Sequence, residues 1–271
     1  AERLLTDCER AGLHLLRPYL CGAYLAGVPR QRWVIDLLGQ DISTIRSEVP
    51  EVYQIVHDRV KPERDANRRE SYRRYWWLFG EPRKSIRPVL ANLNRYIATA
   101  RTAKHRVFTM HSMDTLGESE VVMIGLEDYM CLGVLSSRIH GEWSLASGSV
   151  LGPTPRYNNT KCFDTFPFPE CSNEQKVNIR SLGEALDTHR KRQQAQNPDL
   201  TITGMYNVLE AVRSGTSLTA KDKKIYEQGH VGILKQLHDE LDAAVAGAYG
   251  WPADLGKDEI LTRLVALNAE R

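Results

Sequence analysis

The sequence predicts an α+β protein: a mixed-sheet domain with flanking helices, followed by an all-α helical domain. Two observations carry this expectation. Short apolar or alternating runs with β-branched members all fall before Pro169: "WVIDLL" (33–38), "KHRVFTMH" (104–111) and "EVVMIG" (120–125). Beyond Pro169 only helical patterns remain, at about 174–196, 202–213, 219–248 and 257–269, each bounded by Pro, Gly or Ser/Thr. Val231, Leu234, Leu237, Leu241 and Val245 make one apolar stripe there. The change of texture places a boundary near Cys171–Ser172, giving domains of 1–171 and 172–271.

The elements follow in order. "WVIDLL" reads as a short buried strand. Asp41 and Ser43 offer N-cap side chains to the helix that follows, and Pro50 starts or kinks a helix there. Pro62 suits a first helical turn, where its missing N–H costs nothing. That helix is expected to reach about Phe79, with Tyr72, Tyr75, Trp76 and Phe79 as an inward stripe and Arg68, Arg69, Arg73 and Arg74 left outside. "RKSIRPVLANLNRYI" (83–97) reads as a helix with Ile86, Leu90, Leu93 and Ile97 on one face. "KHRVFTMH" and "EVVMIG" are expected to pair antiparallel around the turn "DTLGES". His105 and His111 would then face one side of a strand, with no third metal ligand suggested. Leu132, Leu135, Ile139, Trp143 and Ala146 fall near helical spacing. The next stretch, "SGSVLGPTPR" (147–156), is expected to be irregular because of Gly148, Gly152, Pro153 and Pro155.

The 271 residues suffice for about two domains. No run approaches the ~20 apolar residues of a membrane span. Residues 1–30 show no secretory signal pattern. A helical pattern already running at Ala1 suggests a piece of a longer protein. Five cysteines, odd in number and without a C-x-x-C pair, argue against a disulfide framework or zinc knuckle and for a reduced, cytoplasmic setting. The net charge of +2 hides an asymmetry: residues 59–106 hold fourteen Lys/Arg against four acids, and 107–170 hold three against eight. Such concentration suits an anion-binding surface. Catalytic signatures are missing: no Walker or dinucleotide loop, no H-E-x-x-H, no G-x-S-x-G. The single Asn-Pro, in "QNPDL", lacks the second Pro and the aromatic residue that amino-methylation of a base needs. No catalytic residue, metal site or cofactor site is therefore expected in this segment.

Four stretches, in order and spacing, carry a resemblance: "RPYLCGAY…PRQRWVIDL", "TARTAKHRVF", "LGVLSSRIHGEWSLASGS" and "RYNNTKCFDTFPFP". Together they resemble the C-terminal part of MmeI-like (type IIL) restriction–modification enzymes and their methyltransferase relatives. The resemblance implies a target-recognition domain over the mixed-sheet part and a helical C-terminal domain that helps clasp double-stranded DNA. It implies an upstream S-adenosylmethionine-binding adenine N6-methyltransferase domain in the same polypeptide, with or without a restriction nuclease. It also implies that sequence specificity lies in the loop region around residues 147–161.

Residue chemistry points the same way. Arg, Asn, Ser and Thr read base edges, and they are dense from Ser147 to Lys161. Ser147, Ser149, Thr154, Arg156, Asn158 and Asn159 are the base-contact candidates. Arg69, Arg73, Arg101, Lys104, His105, Arg106, Arg138 and Lys161 are the phosphate-contact candidates. His140 reads as a core histidine, and Trp33, Trp143, Phe163, Phe166 and Phe168 as packing residues that anchor the loop. The alternative from another class is a protein–protein adaptor docking through the aromatic–proline segment.

Overall fold

The structure is a computed structural model and describes residues 2–28, 30–82 and 86–270. The first elements are α1 (Glu2–Arg10), β1 (Leu16–Leu20), α2 (Gly22–Ala26), β2 (Trp33–Ile35), α3 (Ile42–Glu48), α4 (Pro50–Arg59), α5 (Lys61–Asp65), α6 (Glu70–Arg74) and α7 (Arg87–Leu90). Then come β3 (Arg95–Ala100), β4 (Phe108–Ser112), β5 (Leu116–Gly117), β6 (Val121–Ile124), α8 (Tyr129–Ser136), α9 (Arg138–Ser147), β7 (Ser149–Leu151) and β8 (Thr154–Arg156). A π turn at Asn159–Phe163 leads to α10 (Asn173–Gln196), α11 (Ile202–Arg213), α12 (Ala220–Gln228), α13 (Val231–Ala248) and α14 (Lys257–Glu270). The α+β class holds, with short strands early and helices alone after Pro169. No helix among the described residues is long and apolar enough to cross a membrane.

One compact unit comprises Ala1–Tyr19, Gln31–Asn92 and Asp114–Leu116. Its core is Cys8, Leu15, Leu37, Ile45, Val49, Val52, Val56 and Trp76. The Asp41 side chain caps α3 by accepting from Ser43 N at 2.8 Å, and Pro50 occupies the first turn of α4. Both follow from the sequence. The long helix expected from Pro62 to Phe79 does not form. It breaks after Asp65, where Asn67 Oδ1 accepts Arg69 N at 2.9 Å and Arg73 donates to Asn67 O at 2.6 Å. A short amide side chain has outcompeted the helical ladder. The aromatic stripe is split in consequence: Trp76 is buried against Tyr53 and His57, while Tyr75 and Phe79 are exposed. Trp33 is exposed as well, contrary to the packing role expected of it. Arg68, Arg69, Arg73 and Arg74 do face outward. Residues 83–85 of the helix expected at 83–97 lie outside the described residues. Of the rest only Arg87–Leu90 is helical, and Ile97 is in a strand.

The other unit comprises Leu20–Arg30, Leu93–Met113 and Gly117–Arg271. Its sheet runs β4-β3-β6, with β3 antiparallel to both neighbours: Ile97 faces Met110 on one side and Ile124 on the other. "KHRVFTMH" and "EVVMIG" therefore do not pair with each other. The strand between them, "RYIATA", is buried over five of its six residues, and so shows no alternation to distinguish it from a buried helix. His105 lies outside any strand, so it does not share a strand face with His111. The helix expected around Leu132–Ala146 divides at Ser137, whose hydroxyl caps α9 by accepting from His140 N. Ala146 is exposed rather than inward.

The segment 219–248 also divides. His230 takes a left-handed φ of 44° between α12 and α13, where a helix cannot continue. Four members of the α13 stripe, Val231, Leu234, Leu241 and Val245, are fully buried. One apolar cluster joins Val107, Val134, Ile139, Trp143 and Phe166 to Ile179, Leu186, Met205, Leu209 and Leu234, so packing runs without a break across residues 171–172. A buried polar strut crosses the same ground. Arg190 donates to Phe108 O at 2.7 Å and to the Tyr206 hydroxyl at 3.0 Å, and that hydroxyl lies 2.7 Å from His238 Nε2.

Candidate nucleic-acid interface

The stretch expected to be irregular is a β-hairpin. Ser149 pairs with Arg156, Val150 with Pro155, and Leu151 with Thr154. The same residues that suggested disorder build its turn. Gly152, at φ 58°, takes the first central position of a two-residue turn, and Pro153 takes the second. Leu151–Thr154 closes the hairpin, which makes Val150–Pro155 a pair without ladder hydrogen bonds. Pro155 thus loses nothing by lacking an N–H.

Alternation along the strands sorts the side chains. Ser149, Leu151, Thr154 and Arg156 share one face of the ribbon; Val150 and Pro155 share the other. Tyr157 continues that second face and is 1% exposed, so at its root the second face is the inward one. At that root the first face points away from the core; nearer the tip both faces are open, with Leu151 56% and Val150 70% exposed. The first face carries three of the base-contact candidates, and the Arg156 guanidinium meets no hydrogen-bond or ion-pair partner among the described residues. A third segment extends it: Thr102 bridges to Arg156 antiparallel, Ala103 N donates to Pro155 O at 3.2 Å, and Tyr157 N donates to Arg101 O at 2.7 Å. The Thr102 hydroxyl is buried without a hydrogen-bond partner beside Arg156.

A buried clamp holds the root. The Tyr157 hydroxyl lies 3.0 Å from His140 Nε2. The His140 ring sits edge-on to Phe166 at 4.4 Å and to Phe108 at 5.5 Å. Burial, with the nearby Arg106 charge second, pushes His140 down to about 3, so it stays neutral. Burial likewise pushes the Tyr157 phenol well above its ordinary value. The Arg106 guanidinium stacks on the Tyr157 ring at 5.0 Å and bonds Thr99 Oγ1 at 3.2 Å and the carbonyl of Ala100. Burial lowers it to about 10, which leaves it charged. Gly148 joins α9 to the ribbon with no room for a side chain: a Cβ would meet Ser144 O at 2.6 Å and Arg156 O at 2.9 Å. Phe166 and Phe168 meet edge to face at 5.2 Å, and Tyr249 donates to Pro167 O at 2.7 Å. The aromatic–proline end thus fastens the loop and leads the chain into the helices.

The remaining candidates scatter. Ser147 is spent inside α9, donating to Trp143 O at 2.7 Å. Asn158 caps the π turn by accepting from Thr160 N at 3.1 Å, while Asn159 and Lys161 are exposed on that turn. Arg101 donates to Ser119 O at 3.1 Å. Lys104 and His105 turn toward α11: Lys104 Nζ is 2.6 Å and His105 Nε2 2.8 Å from Asn207 Oδ1. Arg106 is internal, as described. Arg138 is exposed at the far end of α9, about 14 Å along the helix from Ser147. Arg69 and Arg73 belong to the other compact unit, where Arg69 stacks on Tyr72 at 5.3 Å. One member of the outward face went unseen in the sequence, Leu151. Reading Gly152–Pro153 as a two-residue turn would have exposed Leu151.

Comparisons agree with this architecture. The solved structure of the type IIL restriction-modification enzyme MmeI in complex with DNA superposes with a TM-score of 0.68 at 18% identity, over 99% of this chain and 32% of that one. At that identity the likeness establishes the fold. DNA methyltransferase A of Bacillus subtilis (strain 168) is 27% identical over 163 residues, which is 58% of this chain and 16% of the relative. The chain thus spans about a third or less of either protein. The family described as "MmeI, target recognition domain" matches residues 1–170, more than half the chain, and the chain belongs to that family.

Proposed function

We propose that this chain is the DNA-reading part of a site-specific adenine N6-methyltransferase, with residues 1–171 recognising sequence and 172–271 helping to clasp the duplex. The catalytic domain is then a separate part of the same polypeptide, working in the cytoplasm. The observation that carries this reading is the hairpin face that holds Ser149, Thr154 and an unpartnered Arg156 away from the core. A two-stranded ribbon fits the major groove, where Arg matches guanine and Ser or Thr accept several partners. Methyl transfer to a base inside a duplex requires that the base leave the stack. This chain's task is to hold and register the flanking duplex meanwhile. Exposed Lys161 and Lys104 and half-buried Arg101 border the ribbon as phosphate contacts; Arg138, at the far end of α9, and Arg69 and Arg73, in the other compact unit, complete the set.

S-adenosylmethionine is assigned to the other domain, and the polar cavity beside β3 and α10 does not suit it. The cavity of about 480 Å³ lined by Asn94, Arg95, Glu127, Asp128 and Arg180 is polar, and its Arg180 and Asp128 are already paired at 2.7 Å. It offers no apolar slot for an adenine ring.

The test is a binding titration on a duplex selected from a random pool. Affinity should fall steeply with salt as counterions are released. Arg156→Ala should cost ~1–3 kcal/mol and relax preference at one base pair. An equal loss on every sequence would reduce Arg156 to a phosphate contact. Salt-independent behaviour would favour an adaptor instead.

A further inference from the structure

We infer that Leu151 is itself a base-reading residue, and that it senses the 5-methyl group of a thymine. The inference rests on the recognition reading above and adds the chemistry of one recognised base. Leu151 is 56% exposed, and strand register places it on the same face as Ser149, Thr154 and Arg156. More than half of its surface is open, although it stands on a ribbon whose root is clamped by buried Tyr157. The polar members of that face can exchange hydrogen bonds with base edges. A leucine cannot. The major groove offers one apolar group to match it, the thymine methyl. Leu151 lies two paired rows nearer the tip than Arg156, about 7 Å away along the ribbon. That is roughly two base-pair rises. The thymine therefore lies within about two steps of the base pair that Arg156 contacts. Val150, 70% exposed, occupies the opposite face with Pro155 and is not part of this row.

The experiment uses the full chain and a randomised duplex pool, then the selected duplex with each thymine replaced singly by deoxyuridine, which removes only the methyl. Wild type should bind one uracil-substituted duplex about threefold to fourfold more weakly, the loss expected from one uncovered methyl. Leu151→Ala should bind the thymine and uracil duplexes alike while keeping its preference at the Arg156 position. Because the side chain is exposed, that variant should fold as wild type does, and the uracil arm needs no variant at all. A selected site without thymine, or indifference of wild type to uracil at every position, would overturn the inference and leave the recognition reading standing. A pool yielding no enriched sequence would sink both.

Discussion

Gly141 lies within α9 and Gly148 caps its end, and alanine should have opposite effects at the two positions. At Gly148 the backbone (φ −73°, ψ −163°) is open to any residue, so the penalty is purely one of contact. A Cβ there would stand 2.6 Å from Ser144 O, 2.9 Å from Arg156 O and 3.4 Å from Cys162 Sγ. The first two are backbone atoms with partners of their own: Ser144 O already accepts Gly148 N at 3.1 Å. Either the last turn of α9 or strand β8 must move, at about 1–3 kcal/mol. Tyr157 fixes the root through Arg101 and His140, so the displacement falls on the ribbon. At Gly141 nothing lies within 4 Å of a new Cβ, and the position is interior to α9. Alanine there should add roughly 0.5–1 kcal/mol by helix propensity alone. Urea unfolding at constant m-value measures both, and sequence discrimination on the selected duplex should fall for Gly148→Ala alone. Equal stabilities for the two variants, or a Gly148→Ala protein as selective as wild type, would refute the close-packed junction.

Three further outcomes are expected. Arg190→Met removes the strut to Phe108 O and the Tyr206 hydroxyl and weakens compensation of buried Asp187; it should cost about 3–5 kcal/mol in urea unfolding, and a loss under 1 kcal/mol would show the strut to be dispensable. Asp242 accepts Arg138 N at 2.6 Å, and burial raises it to about 6. A carboxyl whose folded value exceeds its unfolded one contributes stability below about pH 4 that is lost as pH rises through 6, here about 2–3 kcal/mol. Asp242→Asn should therefore gain on wild type steadily from pH 4 to 7, and a pH-independent difference would contradict this. Lys104→Ala should change stability by under about 1 kcal/mol, since its Glu210 partner is exposed, yet lower the salt slope of DNA binding by about one; an unchanged slope would remove Lys104 from the interface.

Elements announced by local chemistry were legible in the sequence. Asp41 and Pro50 marked helix starts, and the α13 stripe at Val231–Val245 fixed a buried face. Elements decided by tertiary burial were not. "RYIATA" is buried on both faces and so lost the alternation that marks a strand; only its two neighbours, β4 and β6, explain it. Breaks made by one side chain also escaped notice: Asn67 ending α5, Ser137 starting α9, and His230 in a left-handed conformation. Each residue is compatible with a helix by composition and interrupts it by a single hydrogen bond or dihedral angle. The site was half legible. The residue types at 147–161 suggested base reading, which stays a proposal, and Gly152 and Pro153 looked like breakers when in this spacing they are a hairpin turn. Arg106 looked like surface charge because nothing in the sequence announces that Tyr157 would cover it.

The division of labour around the hairpin has an energetic logic. Residues whose loss should cost folding free energy, Tyr157, His140, Phe166 and Arg106, are buried and turned inward. Those proposed to meet a base, Ser149, Leu151, Thr154 and Arg156, are half-buried or exposed. Substitution on the outward face should therefore change little of the folding balance, because surface positions away from caps and strained turns contribute only tenths of a kcal/mol. Under the proposed reading, rigidity is held by residues at the root of the ribbon and selectivity by those along its outward face. A stable two-stranded ribbon could not supply both alone, since isolated hairpins are marginal in water. The root clamp and the bridge to Thr102 supply the rigidity, which leaves the outward positions of the ribbon free to be chosen for the bases that the proposed reading has them meet.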